Sequence, residues 1–203
     1  MRIGRATAAI ALCVGLAAAA AGAVREAGSG LVRVVLETEK GVIEIDVDTR
    51  HAPITSANFL RYVDAGLYSG GRFHRTVRPG TETNPAVPIQ IIQASRAPRT
   101  PGFPAIPLER TTATGLKHVD GAVSMARSGA DTATSDFFIC IGDQPALDDG
   151  GARNADGLGF AVFGRVVTGM DVVRRIQAAP VFPGSQTLLP LVSITKASRQ
   201  TGR

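Results

Sequence analysis

The segment "GGRFHRTV" at 70–77 carries the most suggestive placement of a reactive group in the chain. β-Branched and aromatic residues between a Gly-Gly turn and a proline-rich loop predict a strand over 72–77. Side chains alternate along a strand, so Phe73, Arg75 and Val77 are expected on one face, with a guanidinium between two apolar groups. Two other segments repeat the pattern. In "PIQIIQAS" Ile89, Ile91 and Gln93 share a face, and in "DFFICI" Asp136, Phe138 and Cys140 do. A charge in an apolar row is costly unless it is paired or faces a wet groove. Arg75 on a rigid strand is therefore a positioned hydrogen-bond donor. Gln93 and Asp136, taken singly, fit equally well as satisfied residues at strand ends. The chain has no Gly-x-Ser-x-Gly elbow, no Gly-rich phosphate loop and no Cys-x-x-Cys. Its three histidines, His51, His74 and His118, show no metal-ligand spacing, so no metal or other cofactor is expected.

The elements that must hold these residues follow from pattern and punctuation. A chain of 203 residues can bury one full core. With 44% apolar and 19% charged residues it has a globular composition, and 23 glycines among short apolar runs favour a turn-rich β protein. "LVRVVLETEKGVIEIDVD" predicts a hairpin turning at "TEKG", with Ile43, Ile45 and Val47 on its buried face. A helix is expected over about 53–65, from Pro53 in the first turn to Gly66 at the end, and a second in "TGMDVVRRIQAAP". Further strands are expected at 72–77, in "PIQIIQAS", at 121–127, at 136–141, in "FAVFGRVV" and in "LLPLVSITKA". Residues 96–118 and "QPALDDGGARNADGLG" read as irregular, and the loop 78–88 as an insertion rather than a substrate rim. About eight strands in one domain predict a mainly β, closed eight-stranded barrel, because closure removes exposed edges.

The N-terminus stands apart. "MRIGRATAAIALCVGLAAAAAGAV" has the basic start, apolar middle and small-residue exit of a signal peptide, with cleavage expected after Ala23; an uncleaved membrane anchor is the alternative. The organisation expected is a signal peptide at 1–23, a linker at 24–31, the folded domain at 32–197 and a polar tail at 198–203. Cys13 lies inside the apolar run, so lipid attachment is not expected. Cys140 is then left alone, without an internal disulfide, as a small buried filler. Loss of Arg2 and Arg5 would reduce a formal net charge of +5 by two. The charges are scattered and not interleaved with aromatics, which argues against nucleic acid as a partner. Nothing demands more than a monomer.

"RFHRTV", "IIQAS", "GAVSMARSGADTATSDFFICIGDQPALD" and "FAVFGRVVTGMDVV" resemble, in order and over residues 32–195, the cyclophilin family of peptidyl-prolyl cis–trans isomerases, its bacterial exported branch most closely. The resemblance implies an antiparallel eight-stranded barrel capped by two α-helices, with rotation about X-Pro bonds as the activity. It implies Arg75 as donor to the proline nitrogen and Gln93 as the group that orients substrate backbone and steadies Arg75. Ile91, Phe138 and Leu147 would form the proline pocket, and Ala126 and Arg127 would grip the extended peptide. Asp136 and Phe160 complete the substrate-binding set at positions where the family usually has glutamine and often histidine. Asp136 is placed to ion-pair with Arg75. His74 belongs to the motif but is expected on the opposite face from Arg75. Ala146 stands where tryptophan or phenylalanine is common, so weak binding of cyclosporin-type inhibitors is expected. The 76–90 segment is longer than the family's usual "GFMxQGG". Proline-containing peptides and unfolded exported proteins are the implied partners, in the periplasm or outside the cell, without stable membrane insertion. Two rivals are a catalytically weak proline-peptide binding module or chaperone, and an unrelated carbohydrate- or lipid-binding barrel.

Overall fold

Alternating burial drives the first hairpin. In the computed structural model, which describes Met1 and residues 30–200, β1 (Leu31–Thr38) and β2 (Gly41–Asp48) pair antiparallel, with Val34, Leu36, Ile43, Ile45 and Val47 fully buried. The expected signal peptide, after Met1, and Cys13 lie outside the described residues. α1 (Pro53–Asp64) follows, with Pro53 in its first turn and Phe59, Leu60, Tyr62 and Val63 on its buried side. Then come β3 (Arg72–Val77), β4 (Ile91–Ser95), a short α2 (Thr111–Thr114), β5 (Ala122–Met125), β6 (Phe137–Cys140), β7 (Ala161–Thr168), α3 (Met170–Gln177) and β8 (Thr187–Arg199). The strands close in the order β1-β2-β7-β5-β6-β4-β3-β8, every neighbouring pair antiparallel. This is the expected eight-stranded barrel. The two expected helices are α1 and α3; α2 adds a single turn inside the region read as irregular, and Pro145–Leu147 forms one 3₁₀ turn.

α3 starts at a glycine for a steric reason. Gly169 has φ of 93°, and a Cβ there would stand 2.3 Å from the Val42 carbonyl oxygen. The helix then lays Val172, Val173 and Ile176 against the barrel. Inside, Phe59 packs at 4.8 Å from Phe163, 5.1 Å from Tyr68 and 5.3 Å from Phe137, centroid to centroid. Tilted and edge-on geometries of this kind suit the aromatic quadrupole.

The strands also bury part of their outer wall. Val77, Ile91, Ala122, Phe138, Cys140 and Val162 form a second apolar cluster with Ile89 and Leu147, separate from the barrel interior. Here the structure corrects the expected face of Phe73. β3 pairs Phe73 with Ala94 but Arg75 with Gln93, so His74 is an extra residue, a β-bulge. Phe73 therefore packs into the interior with Ala94 and Ile92, while Val77 joins Ile91 in the outer cluster. Arg75 shares its face with Val77 and not with Phe73. Thr76, between them, is fully buried and donates to the Gln177 carbonyl at 3.1 Å.

Candidate active site

Arg75 and Gln93 meet because β3 and β4 place them opposite each other. Arg75 Nη1 donates to Gln93 Oε1 at 2.9 Å, and Arg75 Nε donates to Gln186 Oε1 at 2.8 Å. Burial pulls the Arg75 pKa down from its ordinary value, the nearby Arg153 charge adds to the fall, and Glu82 opposes it. The guanidinium thus stands at an electropositive, half-buried spot with two nitrogens fixed by neutral acceptors. Among the described residues Nη2 has no hydrogen-bond partner.

The two residues form one wall of a cavity of about 230 Å³. Ile91 from β4, Phe138 from β6 and Leu147 from the 3₁₀ turn line it, as do Ala126, Arg127 and Phe160, all named from the sequence. The cavity is below the roughly 300–1,000 Å³ usual for small-molecule sites. It fits a single apolar ring carried on a longer ligand better than a bulky cofactor. Asp136 does not line it. This residue precedes β6, its Oδ2 lies 3.5 Å from Gln93 Nε2, and its Oδ1 lies 3.4 Å from Ser135 Oγ. The expected ion pair with Arg75 is not formed, because Gln93 and Gln186 take the guanidinium instead.

The far wall is held by directed bonds. Arg127, its side chain only 2% exposed, donates from Nε to the Gly159 carbonyl at 2.7 Å and makes paired bonds of 2.7 and 2.9 Å to Asp156. Those bonds hold the Asp156 carboxyl down to about 2. The Arg127 guanidinium also lies over the Phe160 ring at 5.3 Å. Phe160 stands edge-on to Phe138 at 5.2 Å, and Phe138 stacks on the His118 ring at 5.9 Å. His118 is buried, with Nδ1 2.8 Å from Asp148 Oδ1 and Nε2 3.0 Å from Ser124 Oγ. A carboxylate only accepts, which puts the proton of the neutral ring on Nδ1 and leaves Nε2 to accept from the Ser124 hydroxyl. Burial keeps the His118 pKa below its usual value, against the pull of Asp148.

Three lining residues were not singled out from the sequence: Ile89, Arg153 and Asn154. Ile89 sat in the same alternating row as Ile91 and Gln93, a usable signal; Arg153 and Asn154 come from the turn-rich stretch, which has no period to read. Arg153 Nη1 donates to the Val87 carbonyl at 2.6 Å and reaches Glu82 Oε1 at 3.2 Å. Burial would raise the Glu82 pKa, but N–H donors from Asn84 and Ile89 and the Arg153 charge bring it below its usual value. No residue of the 78–88 loop lines the cavity; the loop touches the site through Glu82 and Val87, which hold Arg153. His74, the bulged residue, is not a lining residue; its Nδ1 is buried without a hydrogen-bond partner, and burial lowers its pKa. Cys140 is buried, its thiol pKa pushed up by burial, as suits a filler.

A larger groove of about 400 Å³ lies over β2 and β7, lined by Asp46, Asp48, Val119 and Val167 among others. Its carboxylates are engaged, Asp46 with Arg33 and Asp48 with His51. Among the described residues no cluster of side chains could hold a metal ion.

Residues 33–199 match the family model described as cyclophilin type peptidyl-prolyl cis-trans isomerase/CLD. The chain is 37% identical over 144 residues to peptidyl-prolyl cis-trans isomerase A of Dickeya dadantii, covering 70% of each chain. It is 36% identical over 154 residues to a peptidyl-prolyl cis-trans isomerase of Acinetobacter baylyi, covering 72% of each. A cyclophilin type isomerase of Cryptosporidium parvum shares the fold with a TM-score of 0.64 at 19% identity, over 85% of this chain and 99% of that one; a second structure of that protein was determined in the presence of the dipeptide Ala-Pro. With the barrel, the paired Arg75 and Gln93 and a family match across nearly all of the described residues, the chain belongs to the cyclophilin-type peptidyl-prolyl cis–trans isomerases.

Proposed function

We propose that the 230 Å³ cavity takes the proline ring of an X-Pro peptide and that Arg75 donates a hydrogen bond to the proline nitrogen as the bond twists. Rotation faces a barrier of roughly 20 kcal/mol because the amide is conjugated. In the planar ground state the nitrogen lone pair is delocalised and accepts poorly. At the perpendicular geometry the nitrogen becomes pyramidal and its lone pair localises. A donor aimed there binds the twisted state better than the planar one, and that difference is what lowers the barrier. One observation carries this reading: the guanidinium is clamped at Nε and Nη1 beside a cavity to which Ile89, Ile91, Phe138, Leu147 and Phe160 contribute an apolar side, with Nη2 left to donate. Gln93, held between Arg75 and Asp136, steadies the arginine and orients substrate backbone. Ala126 and Arg127 grip the peptide, and Ile91, Phe138, Leu147 and Phe160 surround the ring.

The deciding experiment measures turnover of a short Ala-Pro peptide. Arg75→Ala is expected to lower kcat/KM by about 100-fold or more, equivalent to about 2.7 kcal/mol of transition-state stabilisation. Turnover unaffected by the change would remove Arg75 from the chemistry. We further propose that the clients are unfolded exported proteins in the periplasm or outside the cell. Support comes from the signal-peptide pattern of residues 1–23. Fractionation of cells expressing the full chain tests it: recovery of the enzyme only in the cytosol would overturn this assignment.

A further inference from the structure

The two anchors on Arg75 come from the two sides of β3, one within a strand and the other just ahead of one, where the Gln186 carbonyl accepts from the Thr76 N–H at 2.8 Å. Gln93 lies opposite it on β4, whereas Gln186, just before β8, is 111 positions away. Gln186 uses both ends of its amide. Oε1 accepts from Arg75 Nε, and Nε2 donates to the Thr81 carbonyl at 2.9 Å, with Thr83 Oγ1 at 3.4 Å. The partners fix this orientation: Arg75 offers only donors and the Thr81 carbonyl only accepts, so a flipped amide would oppose donor to donor and acceptor to acceptor. Thr81 is in turn placed by its own segment. Its N–H donates to the Arg78 carbonyl at 2.9 Å and its hydroxyl accepts from the Arg78 N–H at 3.0 Å. Arg78 Nη1 reaches the carbonyls of Gln177, at the end of α3, and Ala179. Beyond Thr81, Glu82 ties down Asn84, Ile89 and Arg153. A continuous set of hydrogen bonds runs from the end of α3 through 78–81 and Gln186 to the guanidinium.

A long arginine side chain bonded at one nitrogen can swivel about that bond. Two acceptors on different nitrogens of a planar group define its plane and the direction of the remaining edge. We propose that Gln186 is a positioning residue of the isomerisation: it sets the plane of the Arg75 guanidinium and couples it to the 78–90 segment, which makes that segment a working support of the active site. The inference rests on the reading of Arg75 as the donor to the proline nitrogen.

Gln186→Met preserves length and removes both hydrogen bonds; Gln186→Glu keeps an acceptor for Arg75 and loses the donor to Thr81. With the Ala-Pro peptide, Gln186→Met is expected to lower kcat about 10-fold with KM within about twofold, since small misplacements of a reacting group cost rate. Gln186→Glu is expected to restore most of that rate, and Gln186→Met is expected to add nothing in an Arg75→Ala background. The Arg75 Nε–H resonance should exchange slowly with water in the native protein and in Gln186→Glu, and rapidly in Gln186→Met. Native kcat in Gln186→Met, with Arg75→Ala inactive, would overturn the inference and leave the role of Arg75 standing. An equal drop in both backgrounds would show general damage and overturn it too. Full activity of Arg75→Ala would remove the underlying reading along with it. Should Gln186→Met not fold, Gln186→Asn, too short to reach Arg75, must lower kcat well below Gln186→Glu; equal rates would refute the role.

Discussion

Phe137 and Phe138 are consecutive on β6 and both almost wholly buried, yet they serve two different parts of the molecule. Phe137 points into the barrel and meets Phe59, Tyr68 and Phe73 edge-on. Phe138 points outward, against His118 and Phe160, under loops held by Arg127–Asp156, Arg153–Glu82 and His118–Asp148. The interior is filled by interlocking rings and aliphatic side chains, with the Tyr68 hydroxyl donating to the Ser135 carbonyl. The outer patch is apolar at its base and fastened by directed bonds above, which lets it remain open on one side. A cavity survives there because loops cover an apolar surface without filling it, and this is where a ring from another molecule can enter.

Substitutions at matched positions test that contrast. Phe59→Ala, at the centre of the interior cluster, is expected to cost about 3–5 kcal/mol of stability, measured by denaturant unfolding, with kcat of the folded fraction unchanged. Phe138→Ala is expected to cost less, about 1.5–3 kcal/mol, and to raise KM for the Ala-Pro peptide several-fold. Equal stability losses and equal kinetics in the two variants would erase the distinction. The smallest effect is a pH slope. Burial lowers the folded-state pKa of His118 from 6.5, so the unfolded chain takes up a proton first as pH falls. Stability is then fully present above about pH 6.5 and declines as pH drops from there toward the folded-state pKa. His118→Gln should flatten this decline between pH 8 and 5, leaving the share due to His74, whose pKa burial also lowers. An unchanged slope would place the titration outside the patch.

The barrel was legible because its strands alternate and end at turns, signals that act over a few residues. Ile91 and Gln93 share a face as the period of two requires, and Cys140 and Phe138 lie opposite them on that same face. The period misled at Phe73, because the bulge at His74 adds a residue without changing the composition of the strand. Asp136, read as the head of the row with Phe138 and Cys140, precedes β6, which begins one residue later, and meets Gln93 at the margin of that row. Gln186 gave no local signal: it precedes its strand in a turn, and its partners Arg75 and Thr81 are more than a hundred positions away. Arg153 was hidden for the same reason, its role depending on Glu82 and Val87 in a distant loop. Long-range hydrogen bonds between irregular segments leave no periodicity to find.

The additional residue at His74 acts as a parity change within β3. Every side chain after it lies on the opposite face from the one that plain alternation of these residues would give, so the same strand paired without the bulge would turn the guanidinium into the hydrocarbon interior and Thr76 away from it. No acceptor waits there for five N–H groups, and the barrel could not close around them. The irregularity that brings Arg75 to the cavity is thus the one that lets this polypeptide close, and deleting His74 would leave a plainly alternating strand with Arg75 still opposite Gln93.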